Sequence, residues 1–167
     1  MLRLPSSVKH GFTLIELLIV ISILAILTGA VIPSFNKYTK DQNLKQAQEQ
    51  VINDLRSIQN NALVGAEATH FSSPNYWGIH FLADQEYRFI ISPSETCAWG
   101  VYTDMRPQNR GKLPGGAAIK NSGCIFFSFK NGDSSNTNGN LVRVELSGSY
   151  LCVRVHNTGL IVSEECP

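Results

Sequence analysis

The chain has 167 residues, 43% of them hydrophobic and 16% charged, a size for one domain and a composition that excludes a disordered or fibrous chain. The formal charge of +1 is unevenly spread, because Arg3, Lys9, Lys37 and Lys40 all precede Asp41. From Asp41 onward ten basic residues face twelve acidic ones, a net of −2, which excludes a nucleic-acid binder built on a strongly basic domain.

The first predicted element is the apolar run Phe12–Ile32, interrupted only by Thr13, Glu16, Ser22 and Thr28 among polar side chains. At about 1.5 Å per residue, a helix of this length matches the ~30 Å hydrocarbon core of a bilayer. No face of it is polar. Arg3 and Lys9 lie before it, and the positive-inside tendency puts that end in the cytoplasm and Pro33 onward outside. A secretory signal peptide, with Thr28-Gly29-Ala30 as its cleavage site, has a shorter core and no acidic residue within it. A plain signal anchor accounts for the length and leaves Glu16 without a reason.

Gly11-Phe12-Thr13-Leu14-Ile15-Glu16 followed by LLIVISILAIL resembles the processing signature of type IV prepilins and of the pseudopilins of type II secretion. The resemblance implies a basic leader, residues 1–11, removed by a prepilin peptidase that cuts after Gly11 and methylates the new amino terminus of Phe12. It implies storage in the inner membrane as a single-pass protein, and later packing of residues 12–33 against other pilins or pseudopilins in a filament. It also gives Glu16 a role. A carboxylate deep in lipid costs roughly 2.5–3.5 kcal/mol on insertion scales, and the charged amine of Phe12 on a neighbouring subunit offsets that cost only in the correct axial register. The alternative is an acidic residue favoured by the dipole at the helix amino terminus. Gly29 and Pro33 are expected to break the helix near the outer boundary, since proline removes a helical hydrogen bond and glycine weakens the backbone locally.

Residues 34–64 continue as an amphipathic helix. Leu44, Ala47, Val51, Leu55, Ile58 and Ala62 recur at three and four residues and form one apolar stripe, with Lys45, Glu49, Asp54 and Arg56 on other faces. Residues 65–167 read as strands: Trp77–Leu82 and Tyr87–Ile91 as a hairpin across Ala83-Asp84-Gln85-Glu86, then Ile125–Phe129, Leu141–Leu146, Tyr150–Val155 and Leu160–Ser163. In LVRVEL the apolar Val142, Val144 and Leu146 alternate with Arg143 and Glu145, the pattern of a sheet with one buried face. The predicted fold is therefore α+β, a long amino-terminal helix whose membrane-spanning first half precedes a half packed on an antiparallel sheet, as in pilins.

Two segments stand apart. Asp104–Gly116 reads as a Pro/Gly-rich loop carrying Arg106, Arg110 and Lys112, and Lys130–Asn140 as a polar turn-rich connection whose oxygens suit Ca²⁺ without matching a defined calcium loop. Cys97, Cys124, Cys152 and Cys166 include no CxxC pair, so no metal site is expected and an exported domain favours two disulfides. Three pairings are open, with Cys97–Cys124 and Cys152–Cys166 preferred.

DLRSIQNNAL, FFSFKNGD and HNTGLIV extend the resemblance to the FimT/GspH-like group of minor pilins and pseudopilins. Some members of that group take up DNA through basic residues near the carboxyl terminus. Here that end is GLIVSEECP, with Glu164 and Glu165 and no basic residue. A DNA-binding alternative therefore rests on Arg106, Arg110 and Lys112, with Lys120 and Lys130. His10, His70, His80 and His156 are scattered, and no GxSxG, HExxH or phosphate loop occurs. The expectation is a structural subunit with no enzymatic activity and no cofactor.

Overall fold

The computed structural model describes residues 11–65, 75–98, 100–104, 110–136 and 141–167, excepting the side chains of 30–34. The chain divides into two compact units, Met1–Thr39 and Lys40–Pro167. One helix, α1, is assigned from Leu14 to Val64. Helical assignment runs through Gly29 and Pro33, so the break expected there does not end the helix.

Within the second unit, the stripe from Leu44 to Ala62 is buried at every predicted position. It meets two antiparallel sheets. The first is ordered β3 (Thr103–Asp104), β2 (Glu86–Ser92), β1 (Tyr76–Leu82), β6 (Ser122–Ser128), β7 (Ser134–Asn136), with β4 (Gly111–Lys112) also paired to β2. The second is ordered β10 (Ile161–Glu164), β9 (Ser149–Val155), β8 (Leu141–Leu146), β5 (Ala118–Ile119). The helix stripe, Ile79, Phe81, Tyr87, Ile125 and Phe127 from the first sheet, and Val142, Val144, Val153 and Val155 from the second form one core.

The fold thus has the predicted α+β architecture, with two departures. The first sheet is buried on both faces. Its outer face carries a second cluster of Ile90, Tyr102, Cys124 and Phe126, with Tyr76 and Cys97 against it, because the segment after β2 folds back over it. The continuous apolar triplets Phe89-Ile90-Ile91 and Ile125-Phe126-Phe127 are the sequence sign of such two-sided burial. LVRVEL, in the second sheet, does alternate. Secondly, both segments set apart as loops contain strands. Asp104–Gly116 contributes the end of β3, all of β4 and a 3-10 turn at Pro114–Gly116, while β7 lies within Lys130–Asn140 and pairs with β6. Two- and three-residue strands have no periodicity of their own and exist because a longer neighbour offers them a ladder.

Polar side chains of α1 stitch the sheets to it. Gln48 donates to the Cys152 carbonyl at 2.7 Å and Gln50 to the Lys112 carbonyl at 2.9 Å. Tyr87, deep in the core, donates its hydroxyl to the Asp54 carboxylate; burial first, and then the Asp54 carboxylate, push its pKa upward. The bonds of Gln48 and Tyr87 satisfy groups that packing would otherwise strip of water. Disulfides join Cys97 to Cys124 and Cys152 to Cys166, and no cysteine is free.

Candidate functional site at the amino terminus of the helix

Thr13 precedes the first helical residue, and Glu16 is the third residue of α1. The Glu16 amide donates to Thr13 Oγ1 at 3.3 Å, and the Thr13 amide donates back to Glu16 Oε2 at 3.2 Å. This is a capping box, two of the helix's unpaired amides satisfied reciprocally. The Thr13 hydroxyl donates to the same oxygen at 3.2 Å. Among the described residues, Oε1 of Glu16 accepts no hydrogen bond. The T-x-x-E pattern ahead of an apolar run carries this signal in the sequence.

The other polar side chains of the run turn inward on their own helix. Ser22 donates to the Leu18 carbonyl at 2.8 Å, and Thr28 to the Leu24 carbonyl. Such back-bonding leaves no hydroxyl seeking water in an apolar surrounding. Glu16 is thus distinct in kind, a carboxylate with one oxygen committed locally.

The apolar side chains around it are exposed on all sides, Phe12 by 85%, Leu14 by 81% and Ile26 by 73%, with Ile15, Leu18, Ile19, Leu24 and Leu27 all more than half exposed. Among the described residues no helix is long and apolar enough to cross a membrane. Of the predicted run, the described side chains in α1 are those from Leu14 to Gly29.

Other predicted site residues fall elsewhere. Arg106 and most of the leader, residues 1–10, lie outside the described residues, as do 137–140 of the candidate calcium segment. In the rest of that segment, Asp133 accepts from the Asn131 side-chain amide. Arg110 lies 3.6 Å from Glu86, and Lys120 lies 2.6 Å from Glu145. Lys112 takes part in β4 opposite Glu86. Each described cation of the DNA-binding alternative except Lys130 therefore sits beside a carboxylate-bearing residue.

A long helix capped by Thr13 and Glu16, with exposed apolar side chains from Leu14 to Leu27 and antiparallel sheets after it, is a pilin-like α+β arrangement. The family model of the prokaryotic N-terminal methylation motif matches residues 6–32, and this motif is the hallmark of the prepilin-type signal. The chain therefore carries a prepilin-type signal, which supports a type IV pilin-like or pseudopilin precursor and implies processing by a prepilin peptidase. No match is found among curated proteins or among solved structures.

Proposed function

We propose that this protein is a minor pilin or pseudopilin, a structural subunit of a type IV pilus or a type II secretion pseudopilus. It is held in the inner membrane by its apolar helix, cut after Gly11, methylated at Phe12, and then packed into a filament. The observation that carries this reading is the exposure of apolar side chains on every face of α1 from Leu14 to Leu27. Burying one Leu or Ile side chain contributes about 1.5–3 kcal/mol, so a helix with so many has to be covered by lipid or by other helices. A filament core supplies the second cover and a bilayer the first.

Glu16 then works in two places. Its Oε2 caps its own helix, and Oε1 faces the methylated amine of a neighbouring Phe12. Cleavage after Gly11 leaves the cap intact, because Thr13 and Glu16 both follow the cut. Glu16→Ala removes the charge and the carboxylate half of the capping box, leaving Thr13 Oγ1 to accept from the backbone amide of position 16, whereas Glu16→Gln keeps an oxygen that caps and loses only the charge. Both variants are expected to be processed normally, and both to be scarce in sheared filaments relative to the membrane pool. Incorporation of Glu16→Gln at the wild-type level would show that capping alone accounts for the residue. Normal incorporation of Glu16→Ala as well would end the assembly role.

A further inference from the structure

His80, Cys97 and Cys124 form a cluster of potential metal ligands in the domain after Lys40 that the filament reading does not use. His80 on β1 stands directly opposite Cys124 on β6 in the antiparallel ladder, a placement that holds two Cβ atoms roughly 4.5–5.5 Å apart on one face of a sheet. Cys97 comes from the segment folded over that face, its Cα 5.6 Å from that of Cys124. The two sulfurs and one imidazole nitrogen all lie within 4.8 Å of one another. Ile90, Phe126, Tyr76 and Tyr102 surround them, and Cys124 is only 1% exposed.

We propose that, while Cys97 and Cys124 are thiols, this cluster binds one zinc(II) ion through both thiolates and the His80 imidazole, and that the disulfide is the alternative occupant of the same place. With Zn–S near 2.3 Å and Zn–N near 2.0–2.1 Å, tetrahedral donors stand about 3.3–3.8 Å apart, within reach of three atoms already this close. Two soft sulfurs and an imidazole select zinc or cobalt over magnesium or calcium. With Nε2 as the ligand atom, Tyr102, whose hydroxyl is 2.6 Å from His80 Nδ1, is the outer partner that fixes the ring plane of the ligating histidine. Arg88, the nearby cation, has Asp104 at 4.0 Å, and two thiolates with one zinc ion add no net charge beside that pair. Binding releases a proton from each thiol to solvent. When the disulfide forms, the two thiolates pass two electrons to a disulfide-bearing oxidant and the ion returns to solution, so zinc delays closure of this bridge. The absence of a CxxC pair hides the site in the sequence, since strand pairing rather than local spacing assembles it.

The test uses the full chain in detergent, with Cys152→Ser and Cys166→Ser removing the other pair, reduced by a phosphine and titrated with cobalt(II), then zinc(II). The expected result is one cobalt per chain, with a thiolate-to-metal charge-transfer band and the visible absorption of tetrahedral cobalt, both displaced by zinc. Cys97→Ser and Cys124→Ser abolish the band, and His80→Ala weakens cobalt affinity by about tenfold or more, the scale on which zinc sites respond to loss even of outer partners. No band, unchanged affinity in His80→Ala, or equal binding by the oxidised chain each overturns the proposal. Where reduction melts the domain, zinc restores its circular dichroism, because binding energy then becomes folding energy; failure to restore it also overturns the proposal.

Discussion

Gln59 donates from one amide nitrogen to the carbonyls of Gly132, at 3.2 Å, and Gly159, at 2.9 Å. It thereby joins the end of α1 to two turns distant in sequence, and these are the three segments, DLRSIQNNAL, FFSFKNGD and HNTGLIV, that carry the likeness to minor pilins. The junction depends on the absence of a side chain at Gly159. Its φ is +80°, and a Cβ there would stand 2.3 Å from the Gln59 amide nitrogen and 2.5 Å from the Gly132 carbonyl oxygen. Gly148 has a similar φ of +86° with nothing within 4 Å, so it isolates the backbone contribution. Gly148→Ala is expected to cost about 1 kcal/mol and Gly159→Ala about 2–3 kcal/mol, strain plus displacement of the clamp. Denaturant midpoints of the two variants measure the difference, and equal losses would mean that the clamp contributes nothing. At Gly111 the issue is space alone, because a Cβ would lie 2.0 Å from the Tyr87 ring. Gly111→Ala is expected to cost about 1–3 kcal/mol by overpacking, read from the same midpoints.

At the scale of elements, the helix stripe is the most demanding contact surface of the domain. Leu55 is fully buried between the sheets, whereas Val64 at the helix end is 73% exposed. Leu55→Ala is expected to cost about 2–5 kcal/mol, transfer plus cavity, and Val64→Ala less than about 0.5 kcal/mol. Comparable losses at both positions, measured by denaturant titration, would contradict the placement of the core. This stripe was legible because a helix imposes its period on every residue it buries, and Leu44 through Ala62 carry that period without exception. Strand β8 was legible for the same reason at period two, in LVRVEL, whereas the hairpin of β1 and β2, with β9 and β10, was legible as runs of strand-forming residues bounded by turn residues. The short strands β3, β4, β5 and β7 were not, because their conformation is dictated by β2, β8 and β6 and leaves no local pattern. The Cys152–Cys166 bridge spans only 14 residues and Cys97–Cys124 27, yet short separation alone could not choose between three pairings. Of the amino-terminal site, Glu16 stood out by residue type and Gly11 and Phe12 through the resemblance to the prepilin signature, while the bond between Thr13 and Glu16 needed the helix start to be fixed at Leu14. His80 and Cys124 were invisible as neighbours until the register of β1 on β6 placed them opposite each other.

For the molecule as a whole, charge decides between the structural reading and DNA uptake. Duplex binding of the non-specific kind needs lysines and arginines that can release condensed counterions by touching phosphate. Here Arg154 holds Glu164 by two bonds of 2.8 and 2.6 Å, Arg110 has Glu86, Lys120 has Glu145, and Arg88 has Asp104. The carboxylates repel the same polyanion that the cations attract, so pairing removes most of the gain on approach. The domain from Lys40 onward is therefore expected to show no binding to duplex DNA at physiological salt and at most weak binding at low salt, as read by fluorescence anisotropy. The opposite outcome has a definite form. If Arg106, Arg110 and Lys112 all reached phosphate, three contacts at about 0.9 each would give a slope near −2.7 for log K against log salt. Replacing Arg110 by Ala would then flatten that slope by about 0.9, and replacing Glu86 by Gln, which frees Arg110, would steepen it. A slope indistinguishable from zero in all three proteins leaves the acidic balance of the domain in control, and the exposed helix as the part of the molecule that finds partners.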